Sequence, residues 1–359
     1  MAPYTGIALS PAELSYLHAS LSQQPPIRPD GRSATTFRPL IAESNILPST
    51  NGSARICFAD GTEAVVGVKA EVEKSGRRGG LQPRDNNHDI DLSNGPLEDN
   101  SSNDTERGQG EESWLEVSIQ IPDVRDDDAL PIFLAAMLTE ALLASGNVKD
   151  RLYINSRFHW RLYIDILLLS QPLSYPLPLL SLTTHLALIS TRLPALISQG
   201  DEDPLFNDDW DASVDLFPSD PITKQVVSKP PVTLLVMTVG SNILFDPSKE
   251  ELAVADAVLA ISAAQAADGT CNLVALRTID PPSRLTAAGV PNVANSNAGG
   301  SGLSAADLSV LREKDAGATV WRPPRGGVSR GLMTAMIRSV AAKGGLAEEV
   351  MSGLAGVET

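Results

Sequence analysis

The stretch Arg28-Pro29-Asp30-Gly31-Arg32 predicts a rigid turn that holds two arginine side chains close together. Proline fixes φ, the aspartate side chain bonds to nearby backbone, and glycine accepts a positive φ. Two guanidinium groups at this spacing suit bidentate contact with a carboxylate or a phosphate. A solvated surface turn has the same composition, so the role of the two arginines depends on what surrounds the turn.

Regular structure is predicted on both sides of this turn. Before it, Ser10-Pro11-Ala12-Glu13 is a capping box that starts a helix, and Pro25-Pro26 ends that helix. After it, two alternating apolar runs at 52–59 and 62–72 flank Asp60-Gly61, which is a strong hairpin signal. The turn therefore joins an N-terminal helix to the first strands of a sheet.

Apolar patterns typical of strands and helices continue towards the C-terminus. The run at 158–170 alternates and then becomes continuously apolar, which predicts a central strand covered on both faces. The other predicted elements are a strand at 114–121, helices at 128–145 and 178–193, a hairpin at 231–245, strands at 253–264 and 272–277, and a final helical region marked by Val328, Leu332, Met336 and Val340. Together they predict one α+β domain over residues 1–359, with helices packed on mixed sheets.

Composition argues against two classes of nucleic-acid-binding protein. A net charge of −16 disfavours a stand-alone nucleic-acid binder, and an aromatic content of 4% disfavours base-stacking platforms. The negative charge is concentrated in two segments. Residues 74–112 carry nine acidic and five basic side chains, and residues 201–220 carry eight acidic and no basic ones. The rest of the chain is close to neutral and can present a local basic face.

Three segments lack the apolar periodicity of the other regions. We predict that 74–112 is a disordered acidic insert, 201–220 an acidic loop and 288–302 a flexible loop. A local loop or an error in the gene model would each explain why 316–327 interrupts the C-terminal helical region. Cys57 and Cys271 are expected to be reduced thiols of an intracellular protein, and neither a secretory leader nor a membrane span is predicted.

Motifs for free-standing catalysis are few. The chain has no phosphate loop and no dinucleotide-binding glycine pattern, and its four histidines lack the spacing of zinc ligands. The carboxylates at 201–203 and 208–211 have no basic or apolar setting that would make them a metal or acid–base site. The residues therefore predict neither a metal nor a cofactor.

Four short motifs together resemble a known family. The turn at 28–32 is followed by Phe37-Arg38-Pro39, by Asn51-Gly52-Ser53 and, at the end of the middle helix, by Ser190-Thr191-Arg192-Leu193-Pro194. In this order the motifs resemble RNase PH-like chains, in particular the ring subunits of the eukaryotic RNA exosome. The resemblance covers about 1–73, 113–200 and 225–280.

This resemblance implies a fold, a set of partners and a reaction. Such chains have a duplicated β-α unit and join other RNase PH-like subunits in a hetero-hexameric ring, which carries S1/KH-type cap subunits. The channel of the ring threads single-stranded RNA for 3′–5′ processing and decay, including that of ribosomal RNA, in the nucleus, nucleolus and cytoplasm. Active members of the family use phosphate to release the 3′-terminal nucleotide.

Two departures from the active pattern predict a subunit without catalysis. Active members place a Gly-Ser/Thr-Arg phosphate loop at the start of the middle helix, where this chain has Ser174-Tyr175-Pro176-Leu177-Pro178. Where active members carry aspartates before a later strand, it has Lys229-Pro230-Pro231. Phosphorolysis needs an oxyanion cradle and a carboxylate, so we expect a non-catalytic scaffold that lines the RNA channel. Two alternatives stay open, an active phosphate-dependent exoribonuclease and an unrelated intracellular binding protein.

Contact with RNA is predicted from basic side chains outside the acidic segments. In archaeal members of the family the helix corresponding to 131–145 carries arginines that help to hold RNA, but here it has Glu140 and no basic residue. The candidates for RNA contact are Arg28, Arg32, Arg38, Arg55, Lys149, Arg151 and Arg157. Each is also compatible with an ion pair within the chain or between subunits, and Arg28 and Arg32 are compatible with bracing the fold.

Overall fold

A computed structural model describes residues 9–75, 110–170, 172–198, 200, 202–218, 228–266, 269–281, 283, 321 and 327–357. The predictions for most of the 74–112 insert, for the 288–302 loop and for nearly all of 316–327 lie outside the described residues. Within them, no helix is both long enough and apolar enough to cross a membrane.

The first sheet contains the strands that follow the arginine turn. Its strands are β1 Leu40–Ser44, β2 Gly52–Phe58, β3 Glu63–Lys74, β4 Leu115–Gln120 and β5 Phe158–Leu168. Their order is β1-β2-β3-β5-β4, and every pair is antiparallel except β4 with β5. The hairpin at Asp60-Gly61 is confirmed, with Gly61 at a φ of +84°. The strands on either side of the insert, β3 and β4, lie in one sheet as predicted, with β5 between them.

A second sheet is built from the C-terminal half of the chain. Its four strands are β8 Lys229–Val239, β9 Asn242–Phe245, β10 Ala257–Gln265 and β11 Cys271–Ile279. Two short strands that precede them in the chain, β6 Arg192–Leu193 and β7 Val214–Asp215, pair with each other in a separate two-stranded sheet. The four-stranded sheet is antiparallel in the order β11-β10-β8-β9, which confirms the hairpin at 231–245. The acidic charge of 201–220 had suggested a loop throughout. Because β7 lies inside this segment, that prediction is wrong for Val214 and Asp215.

Helices cover these sheets and connect them. The helices are α1 Pro11–Leu21, α2 Ala129–Ala144, α3 Asn147–Arg151, α4 Leu177–Ile189, α5 Lys249–Leu252, α6 Arg330–Ala341 and α7 Leu346–Ala355, with 3₁₀ turns at Glu112–Trp114 and Trp210–Ala212. The capping box of α1 is present, since Glu13 Oε2 accepts from the Ser10 backbone N at 2.7 Å. The predicted C-terminal helical region is two helices, because Gly344 adopts a φ of +71° between them.

The middle helix α4 lies between the two sheets, and its side chains from Leu177 to Leu188 are all buried. It packs against β2 and β3 of the first sheet and against β8 of the second, so both sheets contribute to one hydrophobic core. Just beyond its end, Thr191 lies so close to Gly52 that a Cβ there would be 2.4 Å from the Thr191 Oγ1. Two of the family motifs, 51–53 and 190–194, therefore touch, and this contact requires the glycine.

Burial differs between the two long strands at the centre of the sheets. We predicted that the run at 158–170 is a central strand covered on both faces. Its central position is confirmed, since β5 lies between β3 and β4, but the double cover is wrong, because Leu167 and, just beyond the strand, Leu169 are exposed. The fully buried strand is β8, which has α4 on one side and α7 packed against it as well. Apolar content alone does not distinguish the two strands, because burial depends on helices distant in sequence.

Candidate functional site

Arg28 of the arginine turn lies inside the protein. The residue is 3% exposed, and its Nε and Nη2 donate to the two carboxylate oxygens of Glu251, each at 2.7 Å. The guanidinium also donates to the carbonyl oxygens of Ser33, Phe245 and Asp246. Its donors are used within the chain and its surface is covered, which favours the bracing role and argues against contact with RNA.

Asp246, which directly follows β9, is the point where two further arginines meet. Arg32 Nη1 donates to its carboxylate at 2.8 Å, and Arg38 donates through Nη2 at 2.7 Å and through its backbone N at 2.8 Å. Burial by itself would raise the pKa of Asp246, but the hydrogen bonds and positive charge of Arg38, together with Arg32, lower it. The carboxylate is therefore ionised and saturated with donors.

Arg38 links Asp246 to the segment that precedes α4. Its Nη1 donates to Asp60 and, at 2.9 Å, to the Ser174 hydroxyl, and its guanidinium lies 4.6 Å from the centre of the Phe58 ring. Burial would lower the pKa of Arg38, but the hydrogen bonds and charges of Asp246 and Asp60 outweigh it and raise the pKa. We refer to Arg28, Arg32, Arg38, Asp246 and Glu251 as the arginine cluster.

The start of α4 offers no cradle for a phosphate. Ser174, Tyr175 and residues 176–178 are buried, and Pro176, the N-cap, makes no side-chain cap bond. The two prolines at 176 and 178 lack an N–H, so two of the backbone donors usual at a helix start are missing. Burial raises the pKa of Tyr175, so its hydroxyl stays protonated. The segment that departs from the active pattern is thus packed and apolar.

The start of β8, Lys229-Pro230-Pro231, is also part of the core. Lys229 is buried with its Nζ 3.4 Å from the Met351 carbonyl of α7, and burial lowers its pKa. The Pro230 carbonyl accepts a hydrogen bond from the His185 Nδ1 at 2.8 Å. Burial lowers the pKa of His185 to about 3, so the imidazole is neutral. No carboxylate occupies positions 229–231 to steer a proton or bind a metal.

Two of the remaining candidates are held by partners of their own. Arg55, on the outer face of β2, pairs with Glu43 and Glu63. Arg151, at the end of α3, donates to the Leu216 carbonyl at 2.6 Å and to a serine hydroxyl at 2.8 Å, while burial lowers its pKa.

The other two candidates lie near the start of β5. Arg157 is exposed and pairs with Asp203 at 3.1 Å. Lys149 is half-buried on α3 and has no ion-pair partner among the described residues. The structure thus brings together three of the seven candidates, Arg28, Arg32 and Arg38. It separates the other four, and contact with RNA stays a prediction for all seven.

In the described part of the chain, metal-ligating side chains form no group suited to a metal ion, and the two cysteines form no disulfide. No group of three or more histidine, cysteine, aspartate or glutamate residues within it is arranged to hold a metal ion. Cys57 and Cys271 are free, half-buried thiols. What the arginine cluster can do is neutralise charge and fix the turn at 28–32 against β9 and α5.

Two acidic residues of the arginine cluster, Asp246 and Glu251, were missed by the sequence analysis. The signal that could have located them is Ser248-Lys249-Glu250-Glu251, a second capping box directly after a predicted strand. The Ser248 side chain accepts from the Glu251 N, as the pattern requires. The bond from Glu251 to Arg28 spans 223 residues and has no local signal.

Sequence comparisons place these features among known proteins. The 3′ exoribonuclease family profile, domain 1 (RNase_PH), matches residues 36–194. Exosome complex component RRP42 of Saccharomyces cerevisiae is 32% identical over 263 residues, which are 71% of this chain and 82% of that protein. Exosome complex component rrp42 of Schizosaccharomyces pombe is 32% identical over 261 residues, which are 70% of this chain and 77% of that protein.

Solved structures with similarity to this chain include two archaeal assemblies. An Archaeoglobus fulgidus exosome with RNA bound to the active site has a TM-score of 0.47 and 20% identity, over 75% of this chain and 87% of that chain. An archaeal exosome core has a TM-score of 0.47 and 21% identity, over 84% of this chain and 96% of that chain. The family assignment rests on the sequence matches, each of which spans more than two-thirds of the relative.

Proposed function

This chain belongs to the RNase PH family, in the group of the RRP42 exosome components, and from that premise we propose that it is a non-catalytic subunit of the exosome core ring. It scaffolds the ring beside other RNase PH-like subunits and S1/KH-type cap subunits. It lines the channel for single-stranded RNA during 3′–5′ processing and decay, including that of ribosomal RNA. Its location is the nucleus, with the nucleolus, and the cytoplasm. Family membership removes the alternative of an unrelated binding protein.

The proposal that this subunit is non-catalytic rests on the residues at the start of α4. A phosphate ion there needs backbone donors and a positive charge, and this chain instead has two prolines and buried apolar side chains. Loss of one oxyanion donor in such a site costs about 10²–10³ in rate. Loss of the donors and the charge together leaves no route for phosphate-dependent cleavage.

The arginine cluster does not replace the missing groups. Arg38 is the cluster member that reaches Ser174, and its donors are shared between Asp246, Asp60 and that serine. A guanidinium already neutralised by two carboxylates has little field left for a phosphate. The carboxylate of Asp246 is likewise engaged by arginines and is 2% exposed, so it is closed to a metal or a proton transfer.

Exposed sheet edges support the scaffolding part. β1 and β11 are edge strands, and they carry exposed Ile41 and Leu273. An edge strand with exposed apolar side chains is a template for association, which natural monomers usually block. A ring subunit has neighbours that cover such edges.

A phosphorolysis assay tests the absence of catalysis. The purified protein is mixed with 3′-labelled RNA and inorganic phosphate, with an active RNase PH as the positive control. We expect no release of nucleoside diphosphate from this chain above the level without protein. Robust phosphate-dependent release would overturn the non-catalytic proposal and support the active-exoribonuclease alternative.

Crosslinking tests the proposed contact with RNA. Among the candidates, Arg55, Lys149 and Arg157 have side chains that are at least partly exposed and so are available to a threaded backbone. In an assembled ring with photoreactive RNA, adducts are expected near Lys149, which has no ion-pair partner among the described residues, rather than near Arg55 or Arg157, which pair with carboxylates. A ring that binds RNA without adducts near any of these residues would reject them as contacts.

A further inference from the structure

Within 192–215 the described residues, which are all but 199 and 201, fold back on themselves as an irregular antiparallel hairpin. Leu193 pairs with Val214 at its base, and Leu196 forms a bridge with Phe206 further out. The Ile197 N donates to the Leu205 carbonyl at 2.8 Å. The 3₁₀ turn Trp210–Ala212 bulges from the returning arm. We call this element the 192–215 hairpin.

The hairpin is held against the rest of the protein by side-chain contacts. The ring of Phe206 lies 4.9 Å from that of buried Trp160. Asn155 Nδ2 donates to the Glu202 carbonyl at 3.0 Å, and Arg157 pairs with Asp203 at 3.1 Å. Its outward surface is therefore preorganised, which lowers the entropy cost of binding a partner.

Large apolar side chains project from this hairpin into solvent. Five of them are between 46% and 62% exposed: Leu196, Ile197, Leu205, Trp210 and Val214. Trp114, Trp160 and Trp321 are each at most 8% exposed, whereas Trp210 is 47% exposed. Single exposed apolar residues are ordinary, but a group of five that includes a tryptophan is typical of a protein interface.

Acidic side chains alternate with these apolar ones along the same segment. Among the described residues of the hairpin, six carboxylates are exposed: Glu202, Asp203, Asp208, Asp209, Asp211 and Asp215. Asp203 pairs with Arg157 and Asp215 with Arg192, and the other four form no ion pair with a described residue. The hairpin therefore carries both exposed apolar side chains and uncompensated negative charge, and a partner with apolar and basic side chains would gain from both.

The same charge excludes other occupants. RNA would bring phosphates against carboxylates, which raises rather than releases electrostatic energy. A second copy of this chain, docked through the same face about a two-fold axis, would bring the acidic side chains against each other. What fits is a protein surface that presents lysine or arginine side chains around apolar ones.

We propose that the 192–215 hairpin is a docking surface for a neighbouring protein subunit with a basic, partly apolar contact face. The identity of the neighbour as a member of the exosome rests on the function proposed above. Trp210 and Leu205 supply the apolar anchors, and Asp208 and Asp211 orient the basic groups of the partner. The contacts of Glu202, Asp203 and Phe206 with the rest of the protein hold the hairpin in place.

Site-specific photocrosslinking identifies the occupant. A benzophenone amino acid replaces Leu205 in the tagged full-length chain, and a matched sample carries it at Tyr16, an exposed aromatic residue of α1. The complex is purified from cells, irradiated and analysed by mass spectrometry. From position 205 we expect crosslinks to a lysine- or arginine-rich peptide of another exosome subunit. An intact complex with no crosslink from 205, or with crosslinks only to RNA or to a second copy, would overturn the proposal.

Substitutions measure the contribution of the surface. Trp210→Ala and the double variant Asp208→Lys/Asp211→Lys are each expected to lower retention of the crosslinked subunit about ten-fold, because anchors and oriented charges dominate interfaces. The matched controls, Tyr16→Ala and Asp126→Lys/Asp127→Lys, change residues exposed elsewhere and should stay within about two-fold of wild type. Equal retention by all four variants would overturn the proposal.

The result also separates this inference from the proposed function. If the wild-type complex contains RNase PH-like subunits but the hairpin variants keep every one of them, the docking surface is rejected and the ring role stands. If the wild-type chain recovers no RNase PH-like subunit, the ring role is rejected, and with it the identity of the partner.

Discussion

The arginine cluster and the 192–215 hairpin are both rich in charge, yet the fold treats them in opposite ways. In the cluster, arginines at 28, 32 and 38 meet Asp246 and Glu251 below the surface, and opposite charges saturate one another. On the hairpin, four exposed carboxylates have no basic partner among the described residues. The cluster is a brace and the hairpin is an open surface.

This difference shows that the most distinctive motif of a sequence need not be the place where the folded protein binds other molecules. The arginine turn suggests a phosphate site, but its guanidinium groups form ion pairs with Glu251 and Asp246 inside the protein. The acidic segment suggests an inert loop, but its hairpin presents apolar side chains outward. Substitutions in the two regions should therefore differ in kind: the cluster should govern stability and the hairpin should govern association.

The largest effect is expected from Glu251→Gln. The variant leaves the Arg28 guanidinium buried without a counter-charge, which costs about 3–5 kcal/mol of unfolding free energy. Urea denaturation of the purified protein measures the loss. Combined with Arg28→Met, the loss should fall short of the sum of the two single losses by about 2 kcal/mol, because the pair is coupled. Strictly additive losses would contradict the pairing.

A somewhat smaller loss, about 3 kcal/mol, is expected for Asp246→Asn, which keeps the shape but removes the charge that Arg32 and Arg38 share. Asp60→Asn is the matched comparison, because Asp60 meets Arg38 nearer the surface and should cost about 1 kcal/mol. Thermal unfolding of both variants gives the order. If Asp60 proved the more costly, Asp246 would not be the centre of the cluster.

His185 sharpens the comparison, because it is buried without an opposite charge. The pKa of His185 in the folded protein is about 3, below its value of about 6.5 in the unfolded chain. Its contribution to the free energy of unfolding is therefore fully present above about pH 6.5 and is lost as the pH falls towards 3. The slope reaches about 1.4 kcal/mol per pH unit. His185→Asn, which retains a donor for the Pro230 carbonyl, should lack this slope in denaturation curves from pH 7 to pH 5. Identical slopes for both proteins would show that His185 is not the titrating group.

The smallest effect on stability is expected on the hairpin. Asp208→Asn removes an exposed charge with no ion-pair partner among the described residues, so the unfolding free energy should change by at most about 0.5 kcal/mol. The same denaturation assay as for Asp246→Asn makes the contrast direct. A loss comparable with that of Asp246→Asn would mean that the hairpin is also structural.

Local patterns in the sequence predicted the local parts of this fold. The capping box at Ser10 and Glu13 and the turn at Asp60-Gly61 have partners within three residues, so their chemistry is visible in a short window. The strand hidden in 201–220 was missed because acidic residues masked the pairing of Val214 with Leu193. Short irregular hairpins carry little alternation to detect.

Of the candidate site, the sequence could predict the residue types at the start of α4 but not the partners of the arginines. The prolines at the start of α4 are legible in the sequence, because a missing N–H needs no context. The partners of the arginines could not be predicted from the sequence, because Arg28 and Glu251 are 223 residues apart and meet only in the folded chain. The same holds for the outer face of β5, whose exposure depends on where distant helices lie.

Native mass spectrometry of the complex that copurifies with the tagged chain tests the central claim most directly. The account predicts one copy of this chain in a hetero-hexameric ring of RNase PH-like subunits, with S1/KH-type caps. A stable monomer or a homo-oligomer without RNase PH-like partners would contradict it.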